Sequence, residues 1–440
     1  MKMPNSRQIS EEQEDVYEEA PMDGSVIVIG PPGTGKTVIA FLRAQALSRR
    51  KKSPQVLMYN KVLQKYTENA GSEDGISSNT LLSWAYSWWK AHEIKSFSES
   101  ADRVYLDCPY DEKEEAKALG ARWDPSRRKW YVDGQTVKAN TDEFSRWLDS
   151  VPPKLADYQY DWEAMLEAAA ERGAMNDWGH LIIDEAQDFP NEMFHFLRYV
   201  ARRVDNGGLT ILADENQRLQ EDNSNIEQIH KGLGIKLDDT SRSFKLTENF
   251  RNTRQIAELA STFYVGLSSG QPSLPKRQGS KPELVKAGSL VAQVEYIVRI
   301  LSNRAIGEVG VFTQNDSMRK RFYDLLRHRL QGQYDVQTYS SRDEVNHGAE
   351  RLVFDRSGML TVINRHSCKG LEFDMVFIPE LQTMNIDGSD LDVFRMNMYV
   401  MCSRARESLY LLYTSTTENE LEVLQYLPNE QSGLLEFKNV

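Results

Sequence analysis

Cysteine is scarce in these 440 residues. Cys108, Cys368 and Cys402 stand far apart, and no CxxC pair exists. That speaks against a cysteine zinc site and a disulfide framework, and reads as free thiols in a reducing compartment. Long apolar runs are missing too. No stretch reaches the roughly 18 residues that span a bilayer, so no membrane partner is expected. The N-terminal stretch EEQEDVYEEA is polar and acidic, unlike a signal or transit peptide. Cytoplasm is the expected location. Positive charge is in deficit, with a net charge of -12. An indiscriminate nucleic-acid coat protein is usually basic, so that class is disfavoured. A grip on a strand in one local groove is not, because net charge reports solubility and steering rather than a site. Internal repeats and low-complexity tracts are also absent. What remains is a globular composition, 40% hydrophobic and 27% charged, long enough for two to three domains.

The stretch SVIVIGPPGTGKTVIAFLRAQALS (25–48) carries the first chemistry. Gly30-Pro31-Pro32-Gly33-Thr34-Gly35-Lys36-Thr37 fits the phosphate-loop pattern G-x-x-x-x-G-K-[ST]. A buried-strand run, Val26–Ile29, precedes it and helix formers follow. Glycines let backbone N–H groups converge on phosphates, and the helix N-terminus adds positive potential. Lys36 is expected to reach the β and γ phosphates and Thr37 to hold magnesium, so ATP and Mg2+ are the expected cofactors.

The second signal is HLIIDEAQDFP (180–190). A short strand runs into two carboxylates at its C-terminal edge, where open parallel sheets place ligands. Asp184 is expected to coordinate magnesium. Glu185 beside it is placed to orient and deprotonate water.

A P-loop followed by DEAQD resembles superfamily 1 helicases of the UvrD/Rep/PcrA type, and further stretches resemble that series in order. Gln13 lies where an adenine-reading glutamine is found. VLMYNKVLQKY (56–66) and Thr80–Trp84 resemble strand-touching motifs. LTILADENQRL (209–219) supplies Asp214 and Gln217, like a γ-phosphate sensor. LTENFRNTRQIA (246–257) resembles the motif with a stacking aromatic and an arginine. HSCKGLEFD (366–374) and YVMCSRARESLYLL (399–412) resemble the last two motifs. The likeness runs over roughly 10–66 and 180–412.

The resemblance implies roles residue by residue. Lys36, Thr37 and Asp184 would hold the magnesium triphosphate, and Glu185 would be the general base. Gln217 would report loss of the γ-phosphate. Arg251 and Arg404 would be arginine fingers from a second lobe. Phe250 would stack on adenine with Gln13 reading its edge, and Glu372 would touch the ribose or pair with a neighbouring lysine. Tyr59, Asn60, Lys61, Thr80, Trp84, His366 and Ser367 align with positions that touch single-stranded nucleic acid, where bases stack on aromatics and polar groups hold the backbone.

Three departures stand out. RLQEDNSN after Gln217 lacks the family's tryptophan-arginine-glycine stretch. Asn364-Arg365 stand where a threonine and an apolar residue are usual. The short spacing between GEVGVFT (307–313) and MLTVIN (359–364) leaves no place for a large 2B subdomain.

Between Thr80 and Asp184 the sequence VYLDCPYDEKEEAKALGARWDPSRRKWYVDGQTVKANTDEFSRWL (104–148) forms a module of its own. A strand, a helix ending at Gly120, an Asp-Pro-Ser turn and a second strand are expected. Trp123, Trp130, Tyr131 and Trp147 are its expected core. It resembles a short domain of unknown function found beside primases and topoisomerases on mobile elements. Arg122, Arg127, Arg128 and Lys129 could form a basic patch.

The expected fold is α/β: two RecA-like P-loop lobes with parallel sheets, and a small α+β insertion in the 1B position. The expected division is lobe 1A over 1–85, the 1B module over 86–155, lobe 1A again over 156–243 and lobe 2A over 244–440. A ser-, gly- and pro-rich stretch at 265–283 is expected as a surface loop within lobe 2A. The resemblance implies an ATP-dependent helicase or translocase on single-stranded DNA, moving 3′ to 5′, with duplex junctions or RNA as other substrates. A second reading is a nucleic-acid-sensing ATPase that switches a protein partner, such as a nuclease, in anti-phage defence.

Overall fold

The computed structural model describes residues 9–71, 76–156, 159–174, 179–201, 208–214, 224–266, 270–303, 307–384, 386, 391–414 and 419–440. The chain folds into two RecA-like α/β lobes, each built on a parallel sheet, with a small antiparallel module between segments of the first.

The first sheet has six parallel strands in the order Ser243–Lys245, Gly24–Ile29, Gly208–Ala213, His180–Ile183, Pro54–Met58, Ser77–Thr80. Its central strands read as continuous apolar runs. GLTILA and HLII are buried at every residue, as strands with helices on both faces must be. The strand Gly24–Ile29 pairs with Gly208–Ala213 over its full length. The next strand in the chain, Pro54–Met58, lies beyond two intervening strands, so the strand order reverses beside Gly24–Ile29. A crevice at the carboxyl ends of the strands results from such a reversal. The edge strand Ser243–Lys245 straddles the expected boundary at 243.

Two buried polar side chains tie this lobe together. Arg43, on the helix Lys36–Arg49, donates to Thr210 Oγ1 at 2.7 Å and to Ala20 O at 3.1 Å. The His180 ring meets the same Thr210 hydroxyl at 2.8 Å. Gly208 must be glycine here, since a Cβ would sit 2.2 Å from His180 Nδ1. Burial, with Arg43 nearby, pulls the His180 pKa from 6.5 down to about 3. The unfolded chain therefore binds a proton between those values that the folded chain refuses. Stability is expected to fall as pH drops through this window, by up to ~1.4 kcal/mol per pH unit. Unfolding midpoints of wild type and His180→Gln, followed from pH 7 downward, are expected to converge. Parallel acid limbs would contradict a neutral buried ring.

The second sheet has seven parallel strands in the order Asp335–Thr338, Met359–Asn364, Val309–Thr313, Phe373–Ile378, Ala405–Thr414, Glu283–Ala287, Glu436–Asn439. The lobes share apolar packing. Tyr66 on the helix Lys61–Gly71 meets Phe354 at 5.2 Å between ring centroids. Gly370, at φ 76°, lies so close to Leu63 that a Cβ would approach its Cδ1 to 2.6 Å. Leu63, Tyr66, Leu352, Phe354 and Leu371 belong to one continuous core.

The module has three antiparallel strands, Val104–Leu106, Lys129–Val132 and Arg122–Asp124, in that order. Its helix spans Lys113–Ala118 and is followed by Gly120 at φ 96°. Asp124 organises the turn, accepting from the Ser126 N–H at 2.9 Å and the Arg127 N–H at 3.3 Å. The core is Leu106, Ala116, Val132, Val137, Phe144 and Trp147, with Trp130 packed at its edge. Trp123 is 48% exposed and Tyr131 lies outside this core. Side chains alternate across a strand, so Trp130 inside places Tyr131 outside. Among the described residues no helix is long and apolar enough to cross a membrane, and the three cysteines are free thiols.

Candidate functional site: a phosphate loop between two lobes

The P-loop follows the strand Gly24–Ile29 and ends in the helix Lys36–Arg49. Gly33 and Gly35 have φ of 87° and 81°, where a side chain would be strained. Space is short as well. A Cβ at Gly33 would meet Asn249 Oδ1 at 2.4 Å, and one at Gly35 would meet Gln13 Nε2 at 2.4 Å. Both crowding side chains hold the loop from outside.

Gln13 sits at the third position of the helix Glu11–Glu18, in a reciprocal cap with Ser10. Its amide also donates to Thr34 O at 2.8 Å. It is thus placed at the rim of the loop. Phe250 is half exposed, and its backbone N–H donates to Gly33 O at 2.9 Å. A core phenylalanine would be buried; this ring is presented beside the loop.

Lys36 folds back along the loop. Its ammonium donates to Gly30 O at 2.5 Å and lies 3.9 Å from Asp214 Oδ2. Burial lowers its pKa against the pull of Asp214, Glu185 and Asp184. The Thr37 hydroxyl donates to Asp184 Oδ2 at 2.6 Å, bringing the two expected magnesium ligands into contact across 147 residues of sequence. Both present oxygen, the donor atom that magnesium takes. Asp184 is fully buried, and burial together with Glu185 raises its pKa.

Glu185 occupies the left-handed region at φ 54°. Such a conformation in a non-glycine residue is sparsely populated and concentrates at functional sites. Its carboxylate accepts from Gln187 Nε2 at 2.7 Å and lies 3.8 Å from Lys369 Nζ. Burial alone would raise its pKa, yet Lys369, Lys36 and Arg404 prevail and hold it low. Gln187 accepts from the Asp214 N–H at 2.9 Å, so one amide links the strand ends carrying Glu185 and Asp214.

The second lobe closes the crevice. Arg251, Glu372, Gly370 and Arg404 line a cavity of about 20 Å3 with Pro32, Gly33, Gly35–Val38 and Glu185. That volume holds about one water, so a triphosphate requires these walls to part. Arg251 pairs with Glu372 at 2.6 Å. Glu372 also lies 3.7 Å from Arg406, so its partners are arginines, not a lysine. Burial opposes ionisation of Glu372, but the two arginines hold its pKa low. Arg404 is buried, donating to Val400 O at 2.9 Å.

Lys369 was not among the residues expected to matter. It is 1% exposed and reaches Asp188 Oδ2 at 2.6 Å. A second-lobe cation is thus buried between two first-lobe carboxylates, Asp188 and Glu185. Both motifs holding these residues, DEAQD and KGLEF, were visible in sequence. Their contact depends on lobe docking, which no local pattern encodes.

The expected strand-contacting residues divide. His366 is exposed at the end of Met359–Asn364, and Ser367 is partly exposed, donating to Asn364 Oδ1 at 2.9 Å. Lys61 is exposed and pairs with Glu344 of the second lobe at 2.9 Å. Asn60 caps the helix Lys61–Gly71, accepting from the Leu63 N–H at 2.8 Å. Tyr59 packs edge-on to Phe189 at 5.5 Å, and burial raises its pKa to about 12. Thr80 and Trp84 are corrections. Thr80 is buried and caps the helix Leu81–Ala91. Trp84 is 5% exposed, stacked on Trp88 in the first-lobe core, and offers no ring face to a strand. The helix period that places Trp84 and Trp88 on one face is the reason. Gln217 lies outside the described residues, as does most of the stretch RLQEDNSN.

Fold and site define a two-lobed P-loop protein with its crevice sealed by second-lobe arginines. Comparisons find similarity to helicases. Residues 359–412 match the UvrD-like helicase C-terminal domain, and residues 103–149 match a domain of unknown function, DUF5710. A putative ATP-dependent DNA helicase, R568, of Acanthamoeba polyphaga mimivirus is 26% identical over 249 residues, covering 53% of this chain and 34% of that protein. The DNA primase TraC of Escherichia coli is 46% identical over 50 residues, 11% of this chain and 3% of that protein. This chain thus spans about a third or less of these curated relatives. Among solved structures, the DUF1998 helicase MrfA bound to DNA aligns with 96% of this chain and 48% of its own, at 11% identity and a TM-score of 0.39.

Proposed function

We propose that the chain is an ATP-dependent motor on single-stranded nucleic acid, of the superfamily 1 UvrD type, with DNA as the first substrate. The observation that carries this reading is the convergence in one crevice of the P-loop, the Thr37–Asp184 contact, Glu185, Arg251 and Arg404. Bound magnesium ATP would supply the phosphoryl group whose transfer to water drives the cycle. Thr37 and Asp184 would hold the ion, and Lys36 would neutralise the outer phosphates. Glu185, kept ionised by Lys369, Lys36 and Arg404, would accept the proton of the attacking water. Arg251 and Arg404 would stabilise the transferring phosphoryl, an effect worth about 10³–10⁵ in rate in related chemistry. Phe250 and Gln13, at the loop's rim, would receive the base.

Coupling follows from geometry. The fingers belong to the second lobe and the phosphate loop to the first, so occupancy of the crevice sets lobe position. His366 and Ser367 on one lobe and Asn60 and Lys61 on the other would hold the strand. Direction 3′ to 5′ rests on resemblance in KGLEF. Similarity to a helicase and to a primase supports nucleic acid as the substrate. The sensing-switch reading shares the same ATP site and differs in producing no strand separation.

ATP hydrolysis with magnesium is the test. Single-stranded DNA is expected to stimulate turnover at least about tenfold, and tailed duplexes are expected to be unwound. ATP turnover indifferent to any polynucleotide would overturn the motor reading. Stimulation without unwinding or translocation would leave the switch.

A further inference from the structure

The module at 103–149 takes no part in the ATP site. Acidic residues Asp107, Asp111, Glu112, Glu114 and Glu115 lie before and on its first helix, beside Lys113 and Lys117, whereas Arg103, Arg122, Arg127, Arg128 and Lys129 lie at the strands and hairpin, with Asp124 among them, 3.1 Å from Arg103. Register explains the second cluster. Arg122 pairs with Tyr131, and Tyr131 with Tyr105, across the three strands. Paired residues share a face, here the one opposite to Leu106 and Trp130. On it the Tyr105 and Tyr131 ring centroids lie 5.9 Å apart. The Arg127 guanidinium sits 4.7 Å from the Tyr105 ring centroid, and Arg103 sits 4.7 Å from that of Tyr131.

This face does not look into open solvent alone. It forms one wall of a cavity of about 410 Å3, whose other walls include Tyr86 and the segment Val151–Lys154. Arg103, Arg127, Lys129 and Lys154 line it with one carboxylate, Asp149, 3.8 Å from Lys129. Tyr86 is 39% exposed, and Arg127 and Lys154 are exposed.

We propose that this cleft is a second contact for single-stranded polynucleotide, outside the two lobes. A base would lie against Tyr105 and Tyr86, with flanking phosphates on Arg103, Arg127 and Lys154. Flat rings framed by cations are the chemistry that holds a strand without regard to sequence. The volume falls in the range of small-ligand pockets and admits a base with its sugar. In a chain of net charge -12, attraction for phosphate must be local, and this cleft is such a place. The inference rests on the motor reading, since it adds a grip to a strand that the lobes are proposed to move.

The test is binding of labelled oligo(dT) and oligo(U) by the full chain, at ~50 and ~200 mM salt, where phosphate contacts are read from the salt slope. The double variant Arg127→Glu with Lys154→Glu is expected to bind at least about tenfold more weakly at the lower salt. Its salt slope is expected to be shallower by about one to two. Lys138→Glu, a single charge reversal outside the cleft, is expected to bind as wild type does. Cross-linking of wild type to a bromouracil oligomer is expected to mark Tyr105 or Tyr86, a readout that no misfolded variant can mimic. Tighter binding of one oligomer assigns the strand as DNA or RNA. Unchanged affinity in the double variant, with adducts confined to the lobes, overturns the cleft and leaves the motor reading standing. Failure of wild type to bind either oligomer overturns both.

Discussion

Glu185→Gln is expected to bind magnesium ATP and fail to turn it over, with kcat lowered about 10²–10⁴-fold, the usual contribution of a positioned general base. The substitution keeps the side chain's size and its contact with Gln187, so the crevice is expected to stay folded. Two observations single out Glu185 over Asp184. Asp184 is committed to the Thr37 hydroxyl, whereas the Glu185 carboxylate lies among Lys369, Lys36 and Arg404, which keep it ionised. Its left-handed backbone is also a conformation that concentrates at functional sites. Single-turnover hydrolysis beside nucleotide-binding titration is the measurement. Loss of binding together with turnover would make Glu185 part of the nucleotide's cradle and not its base. Turnover within about threefold of wild type would remove it from the chemistry.

Lys369→Met is expected to be the most destabilising single change in the crevice, at about 3–5 kcal/mol. The arithmetic is one of desolvation. Lys369, Asp188 and Glu185 are each 5% exposed or less, and the ammonium lies 2.6 Å from one carboxylate and 3.8 Å from the other. Removing the cation takes away the buried ammonium that Asp188 and Glu185 share. Adding Asp188→Leu is expected to restore much of the loss, because an apolar pair of similar size replaces an ion pair at little cost. Thermal unfolding of both proteins reads this directly. A drop below about 1 kcal/mol for Lys369→Met would reduce the contact to the worth of a surface pair.

Much of this site was legible in sequence because its chemistry is written locally. GPPGTGKT and DEAQD state their own strand, turn and charge, and Thr37 and Asp184, both read as magnesium ligands, meet at 2.6 Å. Arg251, Glu372 and Arg404, drawn from three separate stretches, line the same cavity. The strands that carry the P-loop and DEAQD followed from their buried runs. What failed was orientation. Thr80 and Trp84 stand in a stretch that resembles a strand-touching motif, yet one caps a helix and the other fills its buried side. Tyr131 was placed in the module core because aromatics usually pack inside, and the pleat put it outside. Lys369 was missed for a different reason. A lysine in a charged segment reads as solvated until a second lobe closes over it.

The apolar seam through Leu63, Tyr66 and Phe354 has a thermodynamic consequence. A triphosphate needs more room than the crevice offers, so the walls must separate, and any hinge that opens the seam exposes aromatic and aliphatic surface to water. Such exposure carries a positive heat-capacity change. The enthalpy of lobe opening then rises with temperature, whereas the exposed Lys61–Glu344 pair, which joins the two lobes, is electrostatic and answers chiefly to salt. Temperature and ionic strength therefore act on different parts of the same hinge. Cooling eases the seam, because the hydrophobic drive to keep it shut weakens.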